Sequence, residues 1–403
     1  MRTLVDPRRC RSCPLKLALE MGRSADTHPR HAAIAPVPLR IGGDCYVVRD
    51  YQQVLLLLHD PRLSPVGSDS DADAGMPSPL RWDPSGHDGP ELMVMRPCRP
   101  IDHINPFADI EDQIVETTHA LIDALAKDRQ AELVGRFAHQ LSASIFYRLL
   151  DIPRWDERRF HEWMAFIIDG IGNGTSQSQA IIAEKKLAAY LTGLAMGRRG
   201  GSGTDMLSRL VNEDRPEGCL PDASIGTMAA LLLMASHLTT VNLITNGILT
   251  LIKHPAEAER LCKDPVHATA IVDVLLRLEP PAEFFQSRSA MADIALGDVI
   301  IPEGSNVILL LSPANRNTAR FTAADRLEQD RSDNQHLAFC SGVQSCFGTS
   351  LARLQGQIAL SLFFERVVNP RLVGETRYRS SWPLCGPSQL IVAYNGVRRH
   401  IET

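Results

Sequence analysis

The chain has 403 residues, 44% of them hydrophobic and 22% charged, and a formal net charge of −5. That balance belongs to an ordinary globular protein with a large core, and its mild acidity offers no surface for nucleic acid. No basic start followed by an apolar run opens the chain, so neither a signal peptide nor a membrane anchor is expected. Nine cysteines, odd in number and scattered, point to a reducing cytoplasm.

In chain order, Cys10 and Cys13 form a lone C-x-x-C, which without a second pair or a strand-to-helix context reads as incidental. Val37 to Tyr51 alternates apolar and polar residues around Gly42-Gly43-Asp44, the pattern of a β-hairpin, and Gln52 to His59 follows as a short helix. Residues 63–90, rich in Ser, Asp, Gly and Pro, read as a long irregular loop, and a loop of that length is usually a lid or binding segment. Helical periodicity dominates from Ala108 to about Leu150, with Asp109, Glu111 and Asp112 in the first turn. Further helices are expected at 154–171, 176–197 and 203–213, with Arg198 to Gly203 as a flexible joint.

Pro221-Asp222 opens an apolar helix that runs to Lys253, roughly 45–50 Å at the usual rise. Ser236, His237, Thr239 and Thr240 interrupt its apolar run, which fits a buried helix better than a membrane span. Pro265 to Leu278 is another helix, stopped by Pro280-Pro281. Residues 284–311 read as strands with turns at Leu296-Gly297-Asp298 and Glu303-Gly304-Ser305, and a loop over 312–345 leads into a helix over 347–366.

The most informative stretch is Phe339-Cys340-Ser341-Gly342-Val343-Gln344-Ser345-Cys346-Phe347-Gly348. It sets Cys346 between Gly342 and Gly348, behind Phe339 and directly before an apolar helix. Glycines let a backbone lie close under a flat porphyrin. Helix N-terminal amides and the positive end of the dipole favour a thiolate, and a thiolate on haem iron promotes O–O cleavage. Four fixed positions at this spacing arise by accident roughly once in a thousand chains of this length. A zinc cluster of His336, Cys340 and Cys346 has unusual gaps and no evident fourth ligand.

This segment resembles the ligand loop of the cytochrome P450 family, and from residue 221 to 366 the order of features is similar to its soluble bacterial members. Leu231 to Thr240 resembles the oxygen-binding segment of the central helix. Arg288-Ser289-Ala290 with Asp293 and Gly297 resembles the R-x-A-x-x-D-x-x-x-G strand, and Ala314-Asn315-Arg316, Asp325-Arg326 and Leu351-Ala352-Arg353 take their family places. Gly89-Pro90-Glu91 with Arg96 resembles the start of the helix over the haem edge. The resemblance implies a mainly α fold with a minor β component, one cytochrome P450-like domain over 1–403, and heme b buried between the central helix and the Cys346 loop. Cys346 is the implied axial ligand, and Arg96, Arg288, Gln344, Phe339, Gly342 and Gly348 hold the cofactor. Arginine suits the propionates because it binds carboxylates in a bidentate way; a surface ion-pair role is the plain alternative for Arg96 and Arg288. Thr239 and Ser236 are the implied proton-handling groups, against the plain alternative of helix hydroxyls bonding back to their own turn.

Several family positions are changed. Val274 replaces the glutamate of the E-x-x-R helix while Arg277 stays, so Arg277 needs another partner, with Asp273 and Glu279 the nearest candidates. Leu238 stands where an acid precedes the threonine, Leu92 and Gln344 replace charged residues at the haem edge, and Cys340 replaces the first glycine of the loop. Weaker haem binding and altered proton delivery are the consequence. Cys340 reads as a small buried residue or as a thiol close to Cys346.

The implied activity is a haem-thiolate monooxygenase that takes electrons from a ferredoxin-type partner and oxidises a hydrophobic organic molecule, as a tailoring step in specialised-metabolite biosynthesis. The alternative is a non-catalytic relative that helps a partner enzyme such as a glycosyltransferase; Val274, Leu238 and Leu92 lean towards it, and Cys346 against. The expected pocket is apolar, lined by the 63–90 loop, Leu232, Ala235, Ser236 and Ala282 to Phe285, with a loop near Cys385 to Ser388 closing it.

Overall fold

The structure, a computed structural model, describes residues 39–40, 45–65, 110–172, 177–212, 222–263, 265–282, 284–328, 331, 333–342, 345–378, 384 and 386–400. Helices dominate. The central helix, Asp222–Lys253, packs against Gln177–Met196 and against Thr349–Arg366, here called the cysteine helix. A Cβ placed on Gly247 would stand 2.8 Å from the Leu360 side chain, so a residue without one lets these two helices close on each other. By composition Ile225–Lys253 is apolar enough to span a bilayer, but 72% of its most apolar window is buried inside the protein. It is a core helix.

A five-stranded sheet lies beside the helices, in the order Leu39–Arg40, Cys45–Val48, Asn306–Leu310, Phe284–Ala290, Leu63–Pro65. The expected N-terminal hairpin is there, with Leu39 opposite Val47 and Arg40 opposite Tyr46. Its second strand runs parallel to Asn306–Leu310, which joins the N-terminal segment to the strands after the double proline. The helix Tyr51–Leu58 follows, its N-terminus capped by Asp50, whose side chain accepts from Gln53 N at 3.1 Å.

Several stretches differ from expectation, among them Leu63–Pro65, a strand where the long loop was expected to begin. The helical run over 108–150 is Glu111–Leu125, then a strand Gln130–Glu132, a π-helical turn Val134–His139, and the helix Gln140–Leu149. The strand forms because Ile391–Ala393, remote in sequence, pairs with it. The Glu132 carboxylate then accepts from Val134 N, Gly135 N and Leu390 N at 2.9, 2.7 and 3.1 Å, which satisfies amides that open the next turn. The chain after residue 366, for which no strands were expected, contributes Val367–Val368, Arg371–Leu372, Arg377–Tyr378, Pro387–Gln389, Ile391–Ala393 and Gly396–Val397. Strands of two or three residues are too short to show an alternating pattern.

The joint over 198–203 is densely bonded. Arg198 donates to the carbonyls of Leu150 and Asp151 at 2.9 and 2.6 Å, and Asn212 Nδ2 to the carbonyl of Arg198 at 2.9 Å.

Candidate active site

Along the central helix from Ala229 to Leu249, every residue is buried except Leu232, Ala235, Ser236 and Thr239. Those four are spaced i, i+3, i+4, i+7 and so form a single stripe. Leu232 on the stripe and Phe339 and Phe347 around the cysteine border the same hydrophobic core. The stripe is apolar apart from two hydroxyls. Ser236 Oγ donates to the Leu232 carbonyl, and Thr239 Oγ1 to the carbonyls of Ala235 and Ser236 at 2.9 and 3.1 Å. Each hydroxyl proton is thus directed into its own turn, while the oxygen lone pairs stay available to accept. Leu238 is off the stripe and 3% exposed.

Behind the stripe lies a polar chain that sequence reasoning missed. His237, 4% exposed, has Nδ1 at 3.0 Å from Ser142 Oγ and Nε2 at 3.0 Å from His139 Nδ1. His139 ends the π-helical turn, and its approach to His237 could not be inferred from residues 98 positions apart.

Cys346 precedes the cysteine helix, whose N-cap is Gly348. Its own amide donates to the Phe339 carbonyl at 2.9 Å, which closes the loop, and Thr349 Oγ1 donates to its carbonyl at 2.6 Å. Burial pushes the Cys346 thiol up, while the Gly348 amide and the Thr349 hydroxyl pull the other way. The residue is nonetheless exposed by area. The sulfur is crowded by protein yet reachable. A Cβ on Gly348 would stand 3.9 Å from Sγ, an ordinary contact distance, with nothing else within 4 Å, so this position faces the sulfur across open space.

Gly342 also meets a local steric need of the loop. It has φ +70°, and a Cβ there would meet His59 Nδ1 at 2.9 Å and the Leu58 carbonyl at 3.1 Å. The glycine lets the loop turn left-handed against the end of the helix Tyr51–Leu58, where Ser341 Oγ lies 2.9 Å from His59 Nε2. Cys340 is also left-handed, at φ 59°, which costs a non-glycine residue about 1 kcal/mol or more. Its thiol is free, and burial raises it, with the Cys346 sulfur adding to the rise and Arg288 opposing it. Cys340 is half-buried, packed against the core beside Tyr51–Leu58, and the Cys346 sulfur influences its thiol.

Arg288 is 1% exposed, in the strand Phe284–Ala290, and burial lowers its pKa to about 10. Arg96 and Gln344 lie outside the described residues, as do Leu92, Cys385 and most of the 63–90 loop. His336, Cys340 and Cys346 do not gather into a metal-ligating cluster; His336 turns to Asp273 and to the amide of Ala338. The donor set fits haem. One reachable sulfur stands at a helix N-terminus under a position with no side chain, a buried guanidinium suits a propionate, and an apolar stripe borders the same core.

Neither expected partner reaches Arg277. This side chain is fully buried and donates to the carbonyls of Asn315 and Ala324 at 3.1 and 2.6 Å and of Arg326 at 3.3 Å, with its guanidinium 5.0 Å from the Phe321 ring centre. Burial, reinforced by Arg331 and Arg316, lowers its pKa to about 10. Glu279 pairs instead with Arg316 at 3.2 Å, and Asp273 with Arg353 at 2.7 Å.

The Cytochrome P450 family model matches residues 111–367. Over 94% of its length the chain is 30% identical to Cytochrome P450 107B1 of Saccharopolyspora erythraea, of which it covers 98%. It is also 30% identical to the Mycinamicin VIII C21 methyl hydroxylase of Micromonospora griseorubida, over 91% of this chain and 94% of that one. Among solved structures it is similar to P450BioI in complex with an acyl carrier protein ligated with hexadec-9Z-enoic acid, with TM-score 0.74, 28% identity, and coverage of 87% of this chain and 92% of that one. With its cysteine loop, central-helix stripe and fold all in place, the chain belongs to the cytochrome P450 family and is a monooxygenase whose haem takes Cys346 as thiolate ligand.

Proposed function

We propose that this monooxygenase, as a single domain over 1–403 in the cytoplasm, carries out a tailoring oxidation on a hydrophobic specialised metabolite with electrons from a ferredoxin-type partner. The observation that carries the reading is the stripe Leu232, Ala235, Ser236, Thr239, which offers apolar contact and two hydroxyl oxygens beside the core that Phe339 and Phe347 of the cysteine loop also border. The similarity to a hydroxylase named for mycinamicin VIII supports the substrate class.

When bound, haem supplies dioxygen activation, with the thiolate donating electron density to the iron. The chain supplies the setting. The Gly348 amide and the Thr349 hydroxyl help the Cys346 sulfur hold negative charge. Arg288 fits a propionate, and Arg96 and Gln344 are its expected companions. Phe339 keeps the loop closed through its carbonyl. At Thr239 Oγ1 and Ser236 Oγ the proton points into the helix, so in this arrangement each accepts a hydrogen bond from the pocket, and donation requires rotation away from the backbone. With Leu238 at the acid's position, the protons for turnover come through water or from substrate hydroxyls.

Titrating the purified ferric enzyme with hydrophobic metabolites, then assaying turnover with a ferredoxin and its reductase, tests this reading. Apolar multi-ring or macrocyclic compounds should shift the Soret band as they displace water, and those that shift it should be oxidised. A protein that binds haem but responds to none of them, and consumes no reduced ferredoxin, overturns it. The non-catalytic helper reading predicts that second outcome, together with full biological activity in Cys346→Ala.

A further inference from the structure

We propose that Asp273 is the positioning residue that braces the cysteine loop, acting through Arg353 and His336 in place of the missing glutamate at Val274. The proposal rests on the haem-thiolate reading of Cys346.

The chain of contacts is continuous. Asp273 stands on the helix Pro265–Leu278, and Arg353 on the cysteine helix, seven positions after the ligand. Arg353 Nε donates to Asp273 Oδ1 at 2.7 Å, and its guanidinium lies 4.9 Å from the centre of the Phe339 ring. His336 is 3% exposed, and its Nδ1 accepts from Ala338 N at 3.2 Å, which places its proton on Nε2, facing Asp273 Oδ1 at 3.4 Å. One carboxylate thus holds two groups, and these grip consecutive residues of the loop: His336 takes the backbone of Ala338, and Arg353 the ring of Phe339. Phe339 in turn accepts the Cys346 amide at 2.9 Å.

Arg277 is a separate support, a buried cation that donates to backbone carbonyls. Its carbonyl contacts hold Asn315, whose Oδ1 accepts from Leu337 N at 2.7 Å. Leu337, Ala338 and Phe339 are therefore held in succession, the first from Arg277 and the other two from Asp273. Val274, Asp273, His336 and Arg353 line one cavity of about 680 Å³, so the position that lost its carboxylate opens onto the same space as the carboxylate that replaces it. Burial pushes Asp273 up, but the hydrogen bonds from His336 and Arg353 and the Arg353 charge outweigh it and hold the carboxyl below its usual range. That is how a carboxylate committed to its partners behaves.

The test compares wild type, Asp273→Asn, Asp273→Glu and Arg353→Gln as haem-loaded proteins. It records the ferrous carbon monoxide spectrum over time and the rate of haem transfer to apomyoglobin. Asp273→Asn should fold and bind haem, but lose its thiolate-type Soret band several-fold faster than wild type and release haem several-fold faster. Asp273→Glu should restore both rates to near wild type, and combining Asp273→Asn with Arg353→Gln should add little to either single change. If Asp273→Asn fails to accumulate, Arg353→Gln and Asp273→Glu carry the comparison. Rates in Asp273→Asn or Arg353→Gln equal to wild type, or independent additive effects in the double variant, overturn the proposal. A wild type with no thiolate-type band overturns the underlying haem-thiolate reading instead.

Discussion

The two sides of the site have diverged from the family pattern in different ways. On the sulfur side a carboxylate is lost at Val274, yet the loop keeps a dense set of charged contacts, because Asp273, Arg353, His336 and Arg277 have redistributed the work. On the oxygen side the acid is lost at Leu238, which is buried, and the two hydroxyls of the stripe are bonded into their own helix. Cofactor retention depends on geometry that several arrangements can deliver. Proton delivery needs a titratable group at one place. The comparison predicts a protein that grips haem through thiolate and relies on water or substrate for protons.

The largest expected effect breaks the sulfur side. Arg277→Leu strips donors from the buried carbonyls of Asn315 and Ala324, at about 1–3 kcal/mol each, and should cost about 3 kcal/mol in all. Thermal or denaturant unfolding of the haem-loaded protein checks this; a loss below about 1 kcal/mol would mean that the carbonyls find other donors. On the oxygen side, Leu238→Glu puts a carboxyl at a position 3% exposed and should destabilise by roughly 2 kcal/mol, while the thiolate-type carbon monoxide spectrum survives. Loss of that spectrum would tie the two sides together and break the comparison.

A smaller effect concerns pH. The Asp273 carboxyl is held below its usual range, so the group binds protons more weakly folded than unfolded. Its contribution is complete above the unfolded value of about 3.9 and is lost as pH falls through the lower folded value. The stability gap between wild type and Asp273→Asn should therefore be constant near neutrality and close below about pH 4. A gap that stays open well below pH 4 would show that the ionised Asp273 carboxylate is not what braces the loop.

The smallest stability effect belongs to Thr239→Ala. With its hydroxyl bonded into its own turn, unfolding should change by no more than about 0.5 kcal/mol. The same variant should release several-fold more hydrogen peroxide per electron pair consumed and yield less product. Unchanged coupling would place proton handling on substrate or solvent alone.

Much of this was legible in the sequence, for identifiable reasons. The long helices carry their own periodicity and proline or glycine punctuation, and the ligand loop is marked by residue types that few other sites combine. The stripe on the central helix follows from helix geometry once one of its members is known. What could not be read was the identity of partners brought together by tertiary packing. Asp273 and Glu279 are near Arg277 in sequence, yet Asp273 points about 100° away from position 274 and meets Arg353, 80 residues on, while Glu279 meets Arg316. The strand Gln130–Glu132 exists because of a partner some 260 residues later, and the contact between His139 and His237 depends on a π-helical turn that leaves no composition signal. The cost of replacing glycine by Cys340 was visible only once the backbone showed φ 59° there.

The most direct test is the ferrous carbon monoxide spectrum of the purified protein beside that of Cys346→Ser. The account predicts the strongly red-shifted Soret band of thiolate ligation in the wild type and its absence in the variant. A wild type without that band, or a variant that keeps it, would contradict the assignment of Cys346 as the ligand.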